Sequence, residues 1–244
     1  MRKTVDILGI PVDSITMGEA VAKIGAFLEE GSMHSIFTPN AEIMMAAQRD
    51  PELKDILTRA DMLTADGAGV VLASRLLGRS VPEKVSGVDL VGEVFSAFAA
   101  MGLRCFLFGS KPGVAEEAAE KIIAGYPGII IVGCQNGYFT SEQDDEIVNA
   151  INTSHADIVL VALGAPKQEK WISSHTEQLN VKVCMGVGGT IDIIAGKARL
   201  APDFFRRNGL EWLYRLYREP RRAIRMLDLP RFILRVMMAR MNGK

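Results

Sequence analysis

Val181-Lys-Val-Cys-Met-Gly186-Val-Gly188-Gly189-Thr190-Ile-Asp192 is the stretch whose reading decides the fold. An apolar, β-branched run ends in a glycine turn and a helix opens behind it, which is the strand–turn–helix grammar of a parallel α/β sheet. Such a turn can offer backbone N–H groups and a helix dipole to a phosphate oxygen, or it can be a tight turn with no ligand at all. The third glycine of the dinucleotide fingerprint is missing here and also from Gly67-Ala-Gly69-Val-Val-Leu72, and no Walker lysine-serine pair occurs. These absences weigh against a nicotinamide-dependent oxidoreductase, the rival enzyme class on the same scaffold.

Working outward, short apolar runs alternate with helical patterns up to about residue 195. Strands are expected at residues 5–10, 35–37, 62–64, 104–108, 129–132, 158–162 and 181–187, with capping-box helix starts at Thr16/Glu19, Ser86/Asp89 and Thr140/Gln143. The fold class is therefore α/β: a mostly parallel, Rossmann-like sheet flanked by helices. In such sheets ligands sit beyond the carboxyl ends of the strands, so the loops after each strand are the ones to search for chemistry.

Charge divides the chain differently. Residues 197–244 hold 13 Lys/Arg against 4 Asp/Glu, a net +9 in a protein whose total is −1. The composition shifts near residues 196–202, which gives residues 1–195 as an α/β catalytic core and 196–244 as a basic helical appendage. Trp212, Tyr214, Tyr217 and Phe232 interleave with the arginines, while Ile233, Val236, Met237 and Met241 fall on one helical face and Arg231 and Arg235 lie off it. This pattern fits docking on an anionic membrane surface; a basic subdomain packed on its own core or on a second copy of the chain is the alternative. Nucleic acid fits less well, because aliphatics and methionines replace the polar surroundings usual beside phosphate-tracking arginines.

No uninterrupted apolar run reaches the roughly 18 residues of a membrane span, and no secretory signal is read at the N-terminus. A cytoplasmic protein lying on the membrane is expected. Cys105, Cys134 and Cys184 sit far apart in strand-like runs, as buried reduced thiols do. No Asp-x-Asp pair occurs, and His34, His155 and His175 lack metal-ligand spacing, so no metal and no cofactor are expected.

Asp66 lies between a strand and a glycine turn, where it is either a helix cap or a general base facing a cleft. Asn40 after Thr38-Pro39 poses the same choice between cap and sugar ligand. In Gly164-Ala-Pro166-Lys-Gln168-Glu169-Lys-Trp171, Gln168 is placed to reach a sugar, whereas Trp171 reads as packing. The arginines at 215, 218, 221, 222 and 225 are either solvated charges or, in part, a clamp for a diphosphate.

Together, Thr38-Pro-Asn40, Ala65-Asp-Gly67, Lys84-Val-Ser-Gly-Val-Asp89, Gly137-Tyr-Phe139, Gly164 to Trp171, Gly186 to Gly196 and Gly209-Leu-Glu-Trp-Leu-Tyr-Arg-Leu-Tyr-Arg-Glu-Pro-Arg-Arg222 resemble the WecG/TagA/CpsF glycosyltransferase family, in order, over residues 5–228. One departure is Lys84, where an arginine is usual and a bidentate contact is lost. The resemblance implies an inverting transferase that moves N-acetylmannosamine from UDP to GlcNAc on undecaprenyl diphosphate for a teichoic acid linkage unit. The uronic acid form of the donor sugar is the alternative. It further implies Asp66 as base, with Thr38, Asn40, Lys84 and Gln168 holding sugar and acceptor. Asn136, Tyr138 and Asp192 are the candidates for the uridine, Gly188 and Gly189 lie near its diphosphate, and Arg215, Arg222 and Arg225 complete the site from the tail. A polyprenol diphosphate acceptor never leaves the bilayer, which makes a membrane-docking basic tail intelligible; pairing of two chains through that tail is the competing use of the same surface.

Overall fold

The computed structural model describes residues 2–218 and 226–241. Among the described residues eight strands appear in chain order: β1 (Thr4–Ile7), β2 (Ile10–Asp13), β3 (His34–Phe37), β4 (Met62–Leu63), β5 (Arg104–Gly109), β6 (Ile130–Gln135), β7 (Ile158–Ala162) and β8 (Val183–Gly186). The chain divides into two compact units, one made of residues 1–17, 38–86 and 200–244, the other of residues 18–37 and 87–199.

In the second unit five parallel strands are ordered β3-β8-β7-β5-β6. The middle strands are apolar throughout because both faces are covered: every residue of β7 and β8 is buried. Helices Gly87–Phe98, Val114–Gly125, Asp144–Thr153 and Lys167–Ser174 each bury one stripe, as in Leu90, Val91, Val94 and Phe95. The expected Thr140/Gln143 capping box is formed, on a 3-10 turn leading into the third of these. At Gly133 a Cβ would lie 2.4 Å from the Phe106 ring, beside the β5–β6 register shift, so only glycine fits. All three cysteines are free; burial pushes the Cys184 thiol up to about 12 and the Cys134 thiol up to about 11, and holds Cys105 higher still.

The first unit begins with a correction. Residues 5–10 are not one strand but parts of two, since β1 and β2 pair antiparallel around a Leu8-Gly9 turn with φ of 57° and 81°. Both turn residues occupy the left-handed region that twists a hairpin correctly. Asp13 at the end of β2 is buried; it receives both forks of Arg2 at 2.7 and 2.6 Å and the Leu63 N–H at 2.7 Å, pinning β4. Helix Pro51–Arg59, capped by Asp50, packs on β2 through Leu53, Ile56 and Leu57.

The C-terminal helix Asp228–Met241 belongs to this unit, where it lies against helices Ala41–Ala47 and Ala68–Leu76. Its inward residues are Phe232 and Val236, both fully buried, and Arg49 clamps Asp228 at its first turn through bonds of 2.7 and 3.0 Å. The apolar face is therefore split. Val236 serves the protein's own core, while Met237 and Met241 are exposed beside Leu234, Met238, Arg231, Arg235 and Arg240.

Candidate active site

The first unit holds an open cleft lined by Asn40, Glu42, Asp66, Gly67 and Gly69. Local chemistry brings them together. Asn40 caps helix Ala41–Ala47, its Oδ1 accepting the Ile43 N–H at 3.1 Å, so the cap reading holds, and the residue also lines the cleft. The Pro39 carbonyl accepts the Asp66 N–H, fixing the two loops against each other. The cap of helix Ala68–Leu76 is Gly67, at φ 91°, and not Asp66. The half-buried Asp66 lies one residue upstream of that cap, on the wall of the cleft.

Lys84 reaches the same neighbourhood because its segment is stitched to that of Asp66: the Val85 N–H donates to the Ala65 carbonyl and the Thr64 hydroxyl to the Val85 carbonyl. Its Nζ donates to Glu211 Oε1 in a close ion pair. Glu211 opens helix Glu211–Arg218 and lines the cleft with Trp212, Gly209 and Leu229, so the tail forms one of its walls. A Cβ at Gly209 would fall 2.6 Å from that of Ala68, and the absence of one permits this approach. Thr38 is half-buried two residues before Asn40 and is not among the lining residues. The side chain of Arg215, and all of Arg222 and Arg225, lie outside the described residues.

The second unit gathers the remaining expected residues at the carboxyl ends of its strands. After β6, Asn136 Oδ1 accepts the Tyr138 N–H at 2.9 Å, leaving the Tyr138 ring exposed. The Gly137 N–H donates to the Ser110 carbonyl after β5, and the Ser110 hydroxyl donates to Asp192 Oδ2 at 2.9 Å. Ser110 thus joins the Asn136–Tyr138 loop to Asp192. It does so at φ 59°, a conformation that costs a non-glycine residue of order 1 kcal/mol and recurs at functional sites. Lys167 Nζ lies 4.2 Å from the Phe139 ring centre and borders the same loop.

Gln168 is buried, and its Oε1 accepts the Gly188 N–H at 3.0 Å. That backbone donor is therefore used inside the protein. The outward faces of Gly188 and Gly189 are open: a Cβ on either would meet nothing within 4 Å. Trp171 is packing, as read, with its indole N–H donating to Asp144. Sequence reasoning missed Ser110, Glu211, Trp212 and Glu169. Glu211 and Trp212 sat unused in a quoted motif, whereas a serine at positive φ and a buried glutamate leave no trace in a single sequence.

A parallel α/β unit whose strand-end loops hold Asp192 and an open glycine turn, in a chain that also carries an acid-lined cleft, has the parts of a nucleotide-sugar enzyme. The model of the glycosyl transferase WecG/TagA/CpsF family matches residues 5–244, and the chain belongs to that family. Among its relatives, the N-acetylglucosaminyldiphosphoundecaprenol N-acetyl-beta-D-mannosaminyltransferase of Bacillus spizizenii is 34% identical over 211 residues, 86% of this chain and 81% of the relative. The protein of the same name from Staphylococcus aureus strain MRSA252 is 33% identical over 242 residues, 98% of this chain and 94% of the relative.

Proposed function

We propose that the protein transfers N-acetylmannosamine, with inversion, from UDP to the GlcNAc of an undecaprenyl-diphosphate-linked acceptor, forming the β-1,4 linkage disaccharide of a wall teichoic acid. The observation that carries this reading is the cleft that Asp66 lines together with Asn40 and the tail residues Glu211 and Trp212. As the acceptor hydroxyl oxygen attacks the anomeric carbon, its proton passes to the Asp66 carboxylate. The anomeric bond to the diphosphate breaks in the same step, and its electron pair leaves with UDP.

Asn136, Tyr138 and Asp192 hold the uridine, and the open faces of Gly188 and Gly189 take the diphosphate. Thr38, Asn40 and Lys84 shape the sugar and acceptor sites; the sugar-binding role expected of Gln168 is not kept, because its buried amide is spent on Glu169 and the Gly188 N–H and acts only through the turn it holds. On charge alone, Arg215, Arg222 and Arg225 stabilise the departing diphosphate, a task that needs no divalent metal when arginines are dense enough. The neutral sugar is favoured over its uronic acid because Lys84, which with a tail arginine is a cation able to answer a donor carboxylate, is already matched by Glu211.

The tail brings the enzyme to its lipid acceptor on the inner face of the membrane. Leu213, Tyr217, Leu227, Leu234, Met237, Met238 and Met241 are exposed and interleaved with exposed arginines, the composition of an interfacial helix. Among the described residues no helix is long and apolar enough to cross a membrane.

Transfer of labelled sugar from UDP-N-acetylmannosamine to a short-chain polyprenyl-diphosphate-GlcNAc, with EDTA present, tests the reaction. Product from this donor and none from its uronic acid is expected, and the reverse would overturn the assignment. Sedimentation with anionic but not neutral vesicles tests the docking. A salt-insensitive dimer that ignores vesicles would assign the exposed face to a second copy instead.

A further inference from the structure

Beneath the glycine turn lies a carboxyl group that the proposed reaction does not use. Glu169 is 1% exposed, and its Oε2 has no hydrogen-bond partner among the described residues. Its Oε1 accepts from Gln168 Nε2 at 2.9 Å. The other end of the same amide, Gln168 Oε1, accepts from the Gly188 N–H. The backbone donor dictates the orientation of the amide, because only an oxygen can face an N–H. Nε2 must then face Glu169, and an acceptor there completes the match.

The amide has little room to do otherwise. A Cβ at Gly186 would stand 3.0 Å from Gln168 Nε2 and 3.0 Å from Phe37 Cδ1, so the Gln168 side chain is packed directly on the end of β8. Glu169, Gln168 and Gly188 form one buried relay from helix Lys167–Ser174 to the turn between β8 and helix Thr190–Ile194.

We propose that Glu169 is a positioning residue for the donor site. As a neutral acid it holds the Gln168 amide in the one orientation that ties down the Gly188 N–H, and so fixes the turn whose open face receives the diphosphate. The neutral form follows from the surroundings. An ionised carboxylate would bury an unpartnered charged oxygen, whereas the acid serves Gln168 through its carbonyl oxygen and leaves only an uncharged hydroxyl without a partner, the smaller cost. Burial also pushes the Glu169 carboxyl above its ordinary value, outweighing the hydrogen bonds from Gln168 and from its own backbone that pull it down.

The proposal rests on the donor reading above, and two kinds of readout separate their failures. The full chain is compared with Glu169→Gln, which keeps a carbonyl acceptor and copies the neutral acid, with Glu169→Ala, which removes the acceptor, and with Glu169→Asp, which withdraws it by one methylene. In backbone amide spectra without ligand, the Gly188 resonance is expected to stay in place in Glu169→Gln and to move in Glu169→Ala and Glu169→Asp. In transfer kinetics and UDP calorimetry, Ala is expected to raise the donor KM and the UDP Kd at least tenfold while acceptor KM stays within twofold, and Gln to restore both.

A residue that served only folding would lower the active fraction and leave the donor KM of the remainder untouched. That outcome, or a Gln variant as weak as Ala, overturns the proposal. If Ala does not fold, Asp and Gln carry the same comparison. Wild type that binds no UDP while Gly188 still responds as stated would refute the donor reading and keep the relay.

Discussion

Breaking the Arg49–Asp228 clamp should loosen the tail helix, and by different amounts from its two ends. Asp228 is nearly buried, with its side chain 10% exposed, whereas that of Arg49 is 53% exposed. Removing the carboxylate leaves a guanidinium that water can solvate, so Asp228→Asn should cost about 1 kcal/mol, near the upper end for exposed pairs. Removing the cation strands a largely buried carboxylate with Arg231, 3.5 Å away, as its remaining cation among the described residues, so Arg49→Ala should cost about 2 kcal/mol. For a chain of this size each kcal/mol corresponds to roughly 2–4 °C in Tm.

The pH dependence carries a sign. The hydrogen-bonded Arg49 guanidinium, aided by Arg231, holds the Asp228 carboxyl below its ordinary value. The clamp's contribution is therefore full above the unfolded carboxylate pKa of about 4 and is lost as pH falls through the lower folded value. Amide exchange of helix Asp228–Met241, with urea unfolding of the two single variants and the double, measures all of this. Equal losses from the two single variants, or a clamp that weakens between neutral pH and about 5, would refute the reasoning.

Two further expectations concern packing and burial. Phe232→Ala should cost about 3–5 kcal/mol, the usual loss for a fully buried phenylalanine, and should expose the cleft wall formed by Leu229 to faster exchange. Because the folded state keeps Glu169 protonated above the pH at which the unfolded chain ionises, wild-type stability should fall with rising pH relative to Glu169→Gln. Thermal melts at about pH 4 and about pH 8 compare them, and a gap that does not widen with pH would contradict the neutral acid.

The fold of the second unit was legible because strands buried on both faces announce themselves as unbroken apolar runs; β7 was read at residues 158–162, where it stands. The first unit was harder. The β1–β2 hairpin hides in a run whose turn is Leu8-Gly9, without the asparagine or aspartate that usually marks one. Charge identified the tail but not its place, since the groups that seat it, Arg49 for Asp228 and Lys84 for Glu211, lie 179 and 127 residues away. At Asp66 local sequence balances cap against base, and a backbone dihedral at Gly67 decides against the cap. The burial of Gln168 and Glu169 had no counterpart in the sequence, because a polar pair at a helix start reads as solvated.

The most direct test of the account is turnover of Asp66→Asn beside its affinity for UDP. Asparagine keeps the size of the side chain and one acceptor oxygen, exchanges the other for an NH2 donor and removes the basicity, so kcat should fall by about 10²-fold or more while UDP binding stays within about twofold. Near wild-type turnover in a folded Asp66→Asn protein would contradict the assignment of the base, and with it the reading of the cleft as the place where the glycosidic bond is made.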